Sequence, residues 1–354
     1  MDNAPGKRVI VIGAGIVGAS LAYHLAAKGA TVTVVEAEGI ASGVTGSSFA
    51  WINTTHGEPD PIAPLRGAAI PEYHQLETQL PGLKIQWTGA LSYCTSSETS
   101  ANRISQSQIR ELEPNLKNPP QFASYAAEEG ALDAVAVTHA LIAGAQANGA
   151  KVLTQTPVIG FKTQGSTVLG VETAADIIDA DIVVLAAGTG ITKLTDLLEV
   201  SLPIDASPAI FIRYTSQPNV VRTLISSPEM EVRQTPEGAL LAAEDYLDDA
   251  LENQPSEIAP RTANAIKNEL HGVGSLDLQS ACVGYRPMPA DDIPIIGYLP
   301  QVGGVYVCVM HPGVTLAAIV GRLASEEIIG DKPSPALDPC RPDRFSKLNE
   351  QWMT

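Results

Sequence analysis

The sequence predicts an α/β protein built on a parallel sheet, with a second, strand-rich region interleaved between its parts. Three observations carry this expectation. The β-branched run Arg8-Val-Ile-Val-Ile12 leads directly into Gly13-Ala-Gly15-Ile-Val-Gly18 and then into a stretch with helical apolar spacing. A second buried run, Ile182-Val-Val-Leu-Ala186, is again followed by a glycine loop, Ala187-Gly188-Thr-Gly190, the place where open α/β sheets bind ligands. Residues 205–280 change character, with strand-like segments set among prolines and acids.

Taken in order, the first strand spans 8–12 and a helix runs from Ile16 to Lys28 before Gly29 closes it. Thr31 to Val35 forms a second buried strand. Residues 38–53, including Gly43-Val-Thr-Gly-Ser-Ser48, read as an ordered polar loop of the kind that faces ligands. A helix is expected over 64–80, and strands within 84–94 that open a different sheet. A helix from Asp133 to Asn148 ends at Gly149, a strand follows at 151–154, and a Gly-containing hairpin leads to 182–186. Strands at 209–215 and 239–243, a Pro- and acid-rich passage at 244–260 and a helix near 261–270 make up the second region. Gly304 to Val309 is the final strand, and Val314 to Ile329 is an amphipathic helix capped by Gly330. The Pro-containing stretch after 331 is expected to be a loosely attached tail.

A chain of 354 residues is about twice a typical domain of roughly 150, which suits two interleaved domains. The balance of 22 basic against 39 acidic residues, a formal charge of −17, argues against nucleic acid and anionic membranes as partners. No apolar run approaches the ~20 residues of a membrane helix, and the polar start Met1 to Gly6 leaves no room for a secretory signal; a cytoplasmic location is expected. Cys94, Cys282, Cys308 and Cys340 lie far apart and are read as idle thiols, and the six histidines lack metal-ligand spacing, so no metal is expected.

The first motif has the context that makes a glycine pattern informative. Gly13 makes the tight turn, Gly15 lets a pyrophosphate approach the backbone, and Gly18 lets helix and strand pack closely, with the helix N-terminus facing the phosphates. Glu36, at the end of the second strand, can accept from ribose hydroxyls and disfavours a 2′-phosphate. This leaves NAD and FAD. Further glycine-rich segments at 187–190, 284 and 311–313 point to FAD, which spans more protein.

Val9-Ile-Val-Ile-Gly-Ala-Gly-Ile-Val-Gly18, Leu185-Ala-Ala-Gly188, Gly284-Tyr-Arg-Pro-Met-Pro-Ala-Asp-Asp-Ile-Pro-Ile-Ile-Gly297 and His311-Pro-Gly-Val-Thr-Leu316 together resemble the FAD-dependent D-amino acid oxidase family, which includes glycine and sarcosine oxidases and related amine dehydrogenases. The resemblance covers residues 7 to 330 in order. It implies a glutathione-reductase-like FAD-binding Rossmann domain with an interleaved α+β substrate domain whose antiparallel sheet roofs the flavin. We expect the FAD domain to comprise 1–80, 130–204 and 281–354, and the substrate domain 81–129 and 205–280.

Carried over by position, the resemblance implies that Gly13, Gly15, Gly18 and Glu36, with Ile16, Val17 and Ala37 beside them, bind ADP. Ser42, Thr45, Gly46, Ser47 and Ser48 match the loop along the pyrophosphate and flavin, Val158 the adenine contact, and Ala187 and Gly188 a loop near ADP. Gly313, Val314, Thr315 and Leu316 match a helix start by the flavin ring, where a helix dipole favours negative charge. Gly284 stands where sarcosine oxidase relatives carry the cysteine that attaches flavin, so non-covalent FAD is expected, despite nearby Cys282.

Arg286 matches the arginine that clamps the substrate carboxylate, a role suited to a guanidinium with two parallel donors. His311 is a candidate for substrate or cofactor contact, Tyr246 for the substrate pocket, and Trp51 and Asn53 for the pocket border. The expected reaction is oxidation of the C–N bond of a small amine or amino acid bearing a carboxylate: hydride passes from Cα to flavin N5 and the imine hydrolyses in water. Oxygen or another electron acceptor completes the cycle. A dehydrogenase using a quinone or protein acceptor, a nicotinamide-dependent dehydrogenase and a non-catalytic flavin-binding subunit remain alternatives at this point.

Overall fold

A computed structural model describes residues 6–54, 59–93 and 102–345; Cys94 and the end of the 84–94 segment lie outside the described residues. Five strands form a parallel array in the order Lys151–Leu153, Thr31–Val35, Arg8–Ile12, Ile182–Leu185 and Val305–Val309, and Ile295–Tyr298 adds antiparallel at the edge. Strand alternation explains the continuous apolar runs. Val9, Val11 and Val34 face helices Ile16–Ala27, Ala134–Ala147 and Gly313–Gly330 on one side. Ile10, Ile12 and Val35 face the antiparallel meander Val158–Gln164, Thr167–Thr173 and Ile177–Asp179 on the other.

A second sheet has eight strands in the order Asp277–Pro289, Ile204–Thr215, Leu240–Asp245, Glu231–Gln234, Leu224–Ser226, Ala90–Ser92, Phe122–Ala126 and Arg103–Ser105. Its pairings are antiparallel except where Leu224–Ser226 meets Ala90–Ser92. Ile210, Ile212 and Tyr214 pack under helix Pro255–Glu269, and the Tyr214 hydroxyl donates to the Ala259 carbonyl at 2.5 Å. Alternate residues Ala209 and Phe211 therefore face the opposite way, into a cavity.

Several expectations are corrected. The helix near 261–270 begins at Pro255, because proline is well accommodated at the first helical position, where its missing N–H costs nothing. The two strands within 84–94 join different sheets: Ile85–Gln86 pairs with Gly130–Leu132, and Ala90–Ser92 enters the eight-stranded sheet. Residue 281 lies inside a strand that pairs continuously from Asp277 opposite Thr215 to Pro289 opposite Ile204. Helix Gly313–Gly330 is capped by Asp331 in the left-handed region rather than by Gly330. Nor is the stretch after 331 loose up to residue 345. Leu337 and Cys340 are fully buried, and Arg341 pairs with Glu327 at 2.8 Å. No helix among the described residues is long and apolar enough to cross a membrane.

Candidate functional site

A cavity of about 880 Å³ runs between the two sheets, at the upper end of the range for small-molecule sites. One end is built by the carboxyl ends of neighbouring parallel strands. Gly13, at φ +106°, turns the chain sharply, and a Cβ there would lie 2.5 Å from the Ala186 carbonyl oxygen. A Cβ on Gly18 would lie 2.1 Å from the Gly13 oxygen, so only glycine allows the first helix to approach its strand this closely. The Ala14 N–H donates to Glu36 Oε2 at 2.7 Å and the Glu38 N–H to Glu36 Oε1 at 2.9 Å. Glu36 is thus oriented by backbone, with lone pairs to spare. Thr45 Oγ1 accepts from the Ile16 N–H at 3.1 Å, which pins the polar loop to the helix N-terminus.

At the other end, helix Gly313–Gly330 starts just beyond the strand Val305–Val309, and Gly313, Val314 and Thr315 line the cavity. Thr315 Oγ1 accepts from the Asn53 N–H at 3.1 Å, and Tyr73 donates to the Val314 carbonyl at 2.5 Å. Above them, the strand Asp277–Pro289 brings Gly284 against Ser47: a Cβ at 284 would lie 2.5 Å from Ser47 Oγ. Arg286 enters the cavity from the same strand. Its Nη2 donates to Ser207 Oγ at 2.8 Å, while its buried Nε has no partner and no carboxylate among the described residues lies within ion-pairing distance. Asn53 Oδ1 is likewise buried without a partner. Burial, and next the Arg286 charge, hold the His311 imidazole down to about 4, so it is neutral near pH 7.

Most residues nominated from the sequence converge here. Gly13, Gly15, Ile16, Val17, Glu36, Ala37, Ser42, Thr45, Ser47, Ser48, Val158, Ala187, Gly188, Gly284, Arg286, His311, Gly313, Val314 and Thr315 line the cavity, as do Trp51 and Asn53. Gly18, Gly46 and Leu316 stand behind the lining: Gly18 serves packing, a Cβ on Gly46 would meet the Ala41 oxygen at 2.8 Å, and Leu316 is fully buried. Tyr246 lies outside the lining. The turn after Leu240–Asp245 carries it away, and its hydroxyl is held by Asp249 at 2.6 Å and Gln254 at 3.2 Å. Trp51 also has a structural partner, donating from Nε1 to Glu129 at 2.9 Å. Sequence reasoning missed Phe211, Lys193 and Glu231, which also line the cavity. Glu231 sits on a four-residue strand with no alternation long enough to reveal it. No group of three His, Cys, Asp or Glu among the described residues is arranged to hold a metal ion.

Residues 8–327 match the family described as FAD dependent oxidoreductase, DAO. The chain belongs to that family. It is therefore an FAD-dependent oxidoreductase, and the nicotinamide alternative falls away. Among curated relatives, an opine oxidase component from Agrobacterium tumefaciens is 25% identical over 367 residues, covering 95% of this chain and 96% of the relative. Glycine oxidase of Bacillus licheniformis is 25% identical, covering 91% and 93%. Among solved structures, glycine oxidase from Bacillus cereus superposes with a TM-score of 0.81 at 22% identity, covering 94% of this chain and 97% of that one. L-proline dehydrogenase from P. horikoshii does so at 0.85 and 22%, covering 98% and 99%. These structures share the fold.

The residues present fit FAD. The glycine cradle at 13–18 leaves room only for close backbone approach, Glu36 is held by backbone N–H groups with acceptor capacity left over, and the cavity extends far enough to reach orphaned polar atoms at its opposite end.

Proposed function

We propose that this enzyme oxidises the C–N bond of a small amine or amino acid that carries a carboxylate. The observation that carries this reading is Arg286: a guanidinium in the cavity, unmatched by any described carboxylate and with a buried, unpartnered Nε, in a chain of formal charge −17. An unpaired buried donor is costly, and a substrate carboxylate relieves that cost while fixing the Cα–H in one orientation. FAD, when bound, supplies the acceptor for the electron pair leaving Cα. Gly13, Gly15, Glu36 and Thr45 hold its ADP half, Val158, Ala187 and Gly188 border the adenine end, and Ser47, Ser48 and Gly284 flank the middle. The amino end of helix Gly313–Gly330 favours negative charge at the reacting end. His311, neutral at pH 7, adds no competing charge beside Arg286.

Attachment of FAD is non-covalent in this reading. Gly284 occupies the contact with Ser47, whereas Cys282 is exposed and lies outside the cavity lining. The names of the opine and glycine oxidase relatives favour oxygen as acceptor.

Replacing Arg286 by Leu tests the clamp. We expect kcat/KM for carboxylate-bearing amines to fall by about 100-fold or more, on the order of 3 kcal/mol, with FAD content unchanged. An unchanged kcat/KM overturns the clamp. Peroxide formed in step with amine consumed supports an oxidase, peroxide-free turnover with a quinone a dehydrogenase, and FAD that no amine bleaches a non-catalytic role.

A further inference from the structure

Glu231 and Arg286 stand on one face of the eight-stranded sheet. Glu231 lies opposite Ala243, Ala243 opposite Phe211, and Phe211 opposite Cys282, with Ala209 opposite Gly284. Directly paired residues share a face, and so do alternate residues along a strand. The register therefore aligns Glu231, Ala243, Phe211, Ala209, Gly284 and Arg286, and all six line the cavity. A guanidinium stands at one side of this floor, a carboxyl group at the other, and small or aromatic apolar side chains lie between.

Glu231 is half-buried and faces the cavity with few protein partners. Among the described residues its hydrogen-bond contact is Ser226 Oγ at 3.5 Å, and no basic group pairs with it. Burial pushes its carboxyl up to about 7, Asp245 and Glu244 adding to the rise while Ser226 and the Arg286 charge oppose it. A partly buried carboxyl raised in this way is partly protonated near pH 7, and a cation beside it draws it into the charged form. Arg286 does not do so: its hydrogen bonds run to Ser207 and Pro208.

We infer that Glu231 is a specificity-determining residue that receives a positively charged group of the substrate, separated by a short apolar spacer from the carboxylate held by Arg286. The substrate class is thus a carboxylate-bearing amine with a second, cationic nitrogen. This rests on the reading of Arg286 as the carboxylate clamp. Monocarboxylic amines with plain alkyl chains fill the same floor and leave Glu231 unmatched.

The test compares N-(4-aminobutyl)glycine with N-butylglycine on the holoenzyme, under anaerobic conditions, reading Kd from the shift of the flavin absorption band and reactivity from its bleaching. The wild type should bind the aminobutyl compound about tenfold or more tightly than the butyl compound. Glu231→Gln should erase that preference, and Glu231→Asp should retain part of it. Equal Kd values for the two compounds in the wild type overturn the inference, as does a preference that survives in Glu231→Gln. If the preference is present and depends on Glu231 but neither compound bleaches the flavin, the cation site stands and the oxidation reading fails. If both bleach with equal Kd, the oxidation reading stands and the cation site fails.

Discussion

In the six-stranded sheet the central strands bury apolar side chains on both faces, whereas the eight-stranded sheet buries one face under helix Pro255–Glu269 and turns the other toward the cavity. The difference decides what kind of chemistry each contributes. The first sheet acts through backbone: tight turns, N–H groups and carbonyls at strand ends, with glycines where another atom would collide. The second presents side chains to the cavity, among them Arg286, Glu231 and Phe211. Cofactor binding should therefore respond to an added methyl on the first sheet, and substrate choice to a changed charge on the second.

The most severe break should come from Gly18→Val. Its Cβ alone would sit 2.1 Å from the Gly13 oxygen, so the helix must leave the strand. We expect FAD affinity to fall by more than 100-fold, read by titrating the apoprotein with FAD and following flavin fluorescence. Retention of wild-type affinity would show that the close helix–strand approach is dispensable, and the contrast between the sheets would lose its basis.

A smaller effect is expected where the two regions are joined. Arg233 reaches from the eight-stranded sheet to donate to the Phe49 carbonyl at 2.7 Å and to the Leu132 carbonyl at 2.9 Å. It is almost fully buried, and burial holds its guanidinium down to about 10. Arg233→Met keeps the bulk and removes both bonds, leaving two carbonyls unpaired at a cost of about 2 kcal/mol, partly offset by relief of a buried charge. Urea unfolding measures it. An unshifted midpoint would mean that apolar packing alone couples the roof to the Phe49 loop.

The mildest test concerns the first region's interior. His24 is buried between the first and last long helices with Nε2 unpartnered, and burial, followed by Lys28 and Arg322, holds it down to about 3. Its folded value lies below the ordinary 6.5, so between about pH 3 and 6.5 the unfolded chain binds the extra proton. Stability is therefore lost as pH falls through that window, by up to ~1.4 kcal/mol per pH unit from this group. His24→Leu should flatten the stability–pH curve between pH 6.5 and 4 relative to the wild type. Parallel curves for the two proteins would place the proton sensitivity elsewhere, with His311 the next candidate.

How much could be read in advance follows the same division. The glycine-cradle end of the cavity was legible because its residues are close in sequence and constrained by backbone geometry: strand 8–12, Gly13 to Gly18 and Glu36 form one continuous segment. Arg286 was legible through its surrounding motif. Glu231 was not, since a four-residue strand shows no period and its importance arises from partners 12 to 55 residues away, Ala243 to Arg286. Tyr246 failed for the converse reason: chain position suggested the pocket, but the turn after Asp245 gave its hydroxyl to Asp249 and Gln254. The 332–345 stretch misled because prolines suggest a loose tail, while Leu337 and Cys340 found space beside the last helix.

By itself the sequence determined the α/β class, the dinucleotide fold and the family, because β-branched runs, glycine spacing and strand-end loops impose local geometry wherever they occur. The tertiary structure alone decided which side chains share the cavity face. That depends on register, and register is settled only when strands from distant parts of the chain pair and bury one face beneath Pro255–Glu269, so that Arg286 and Glu231 emerge together on the other.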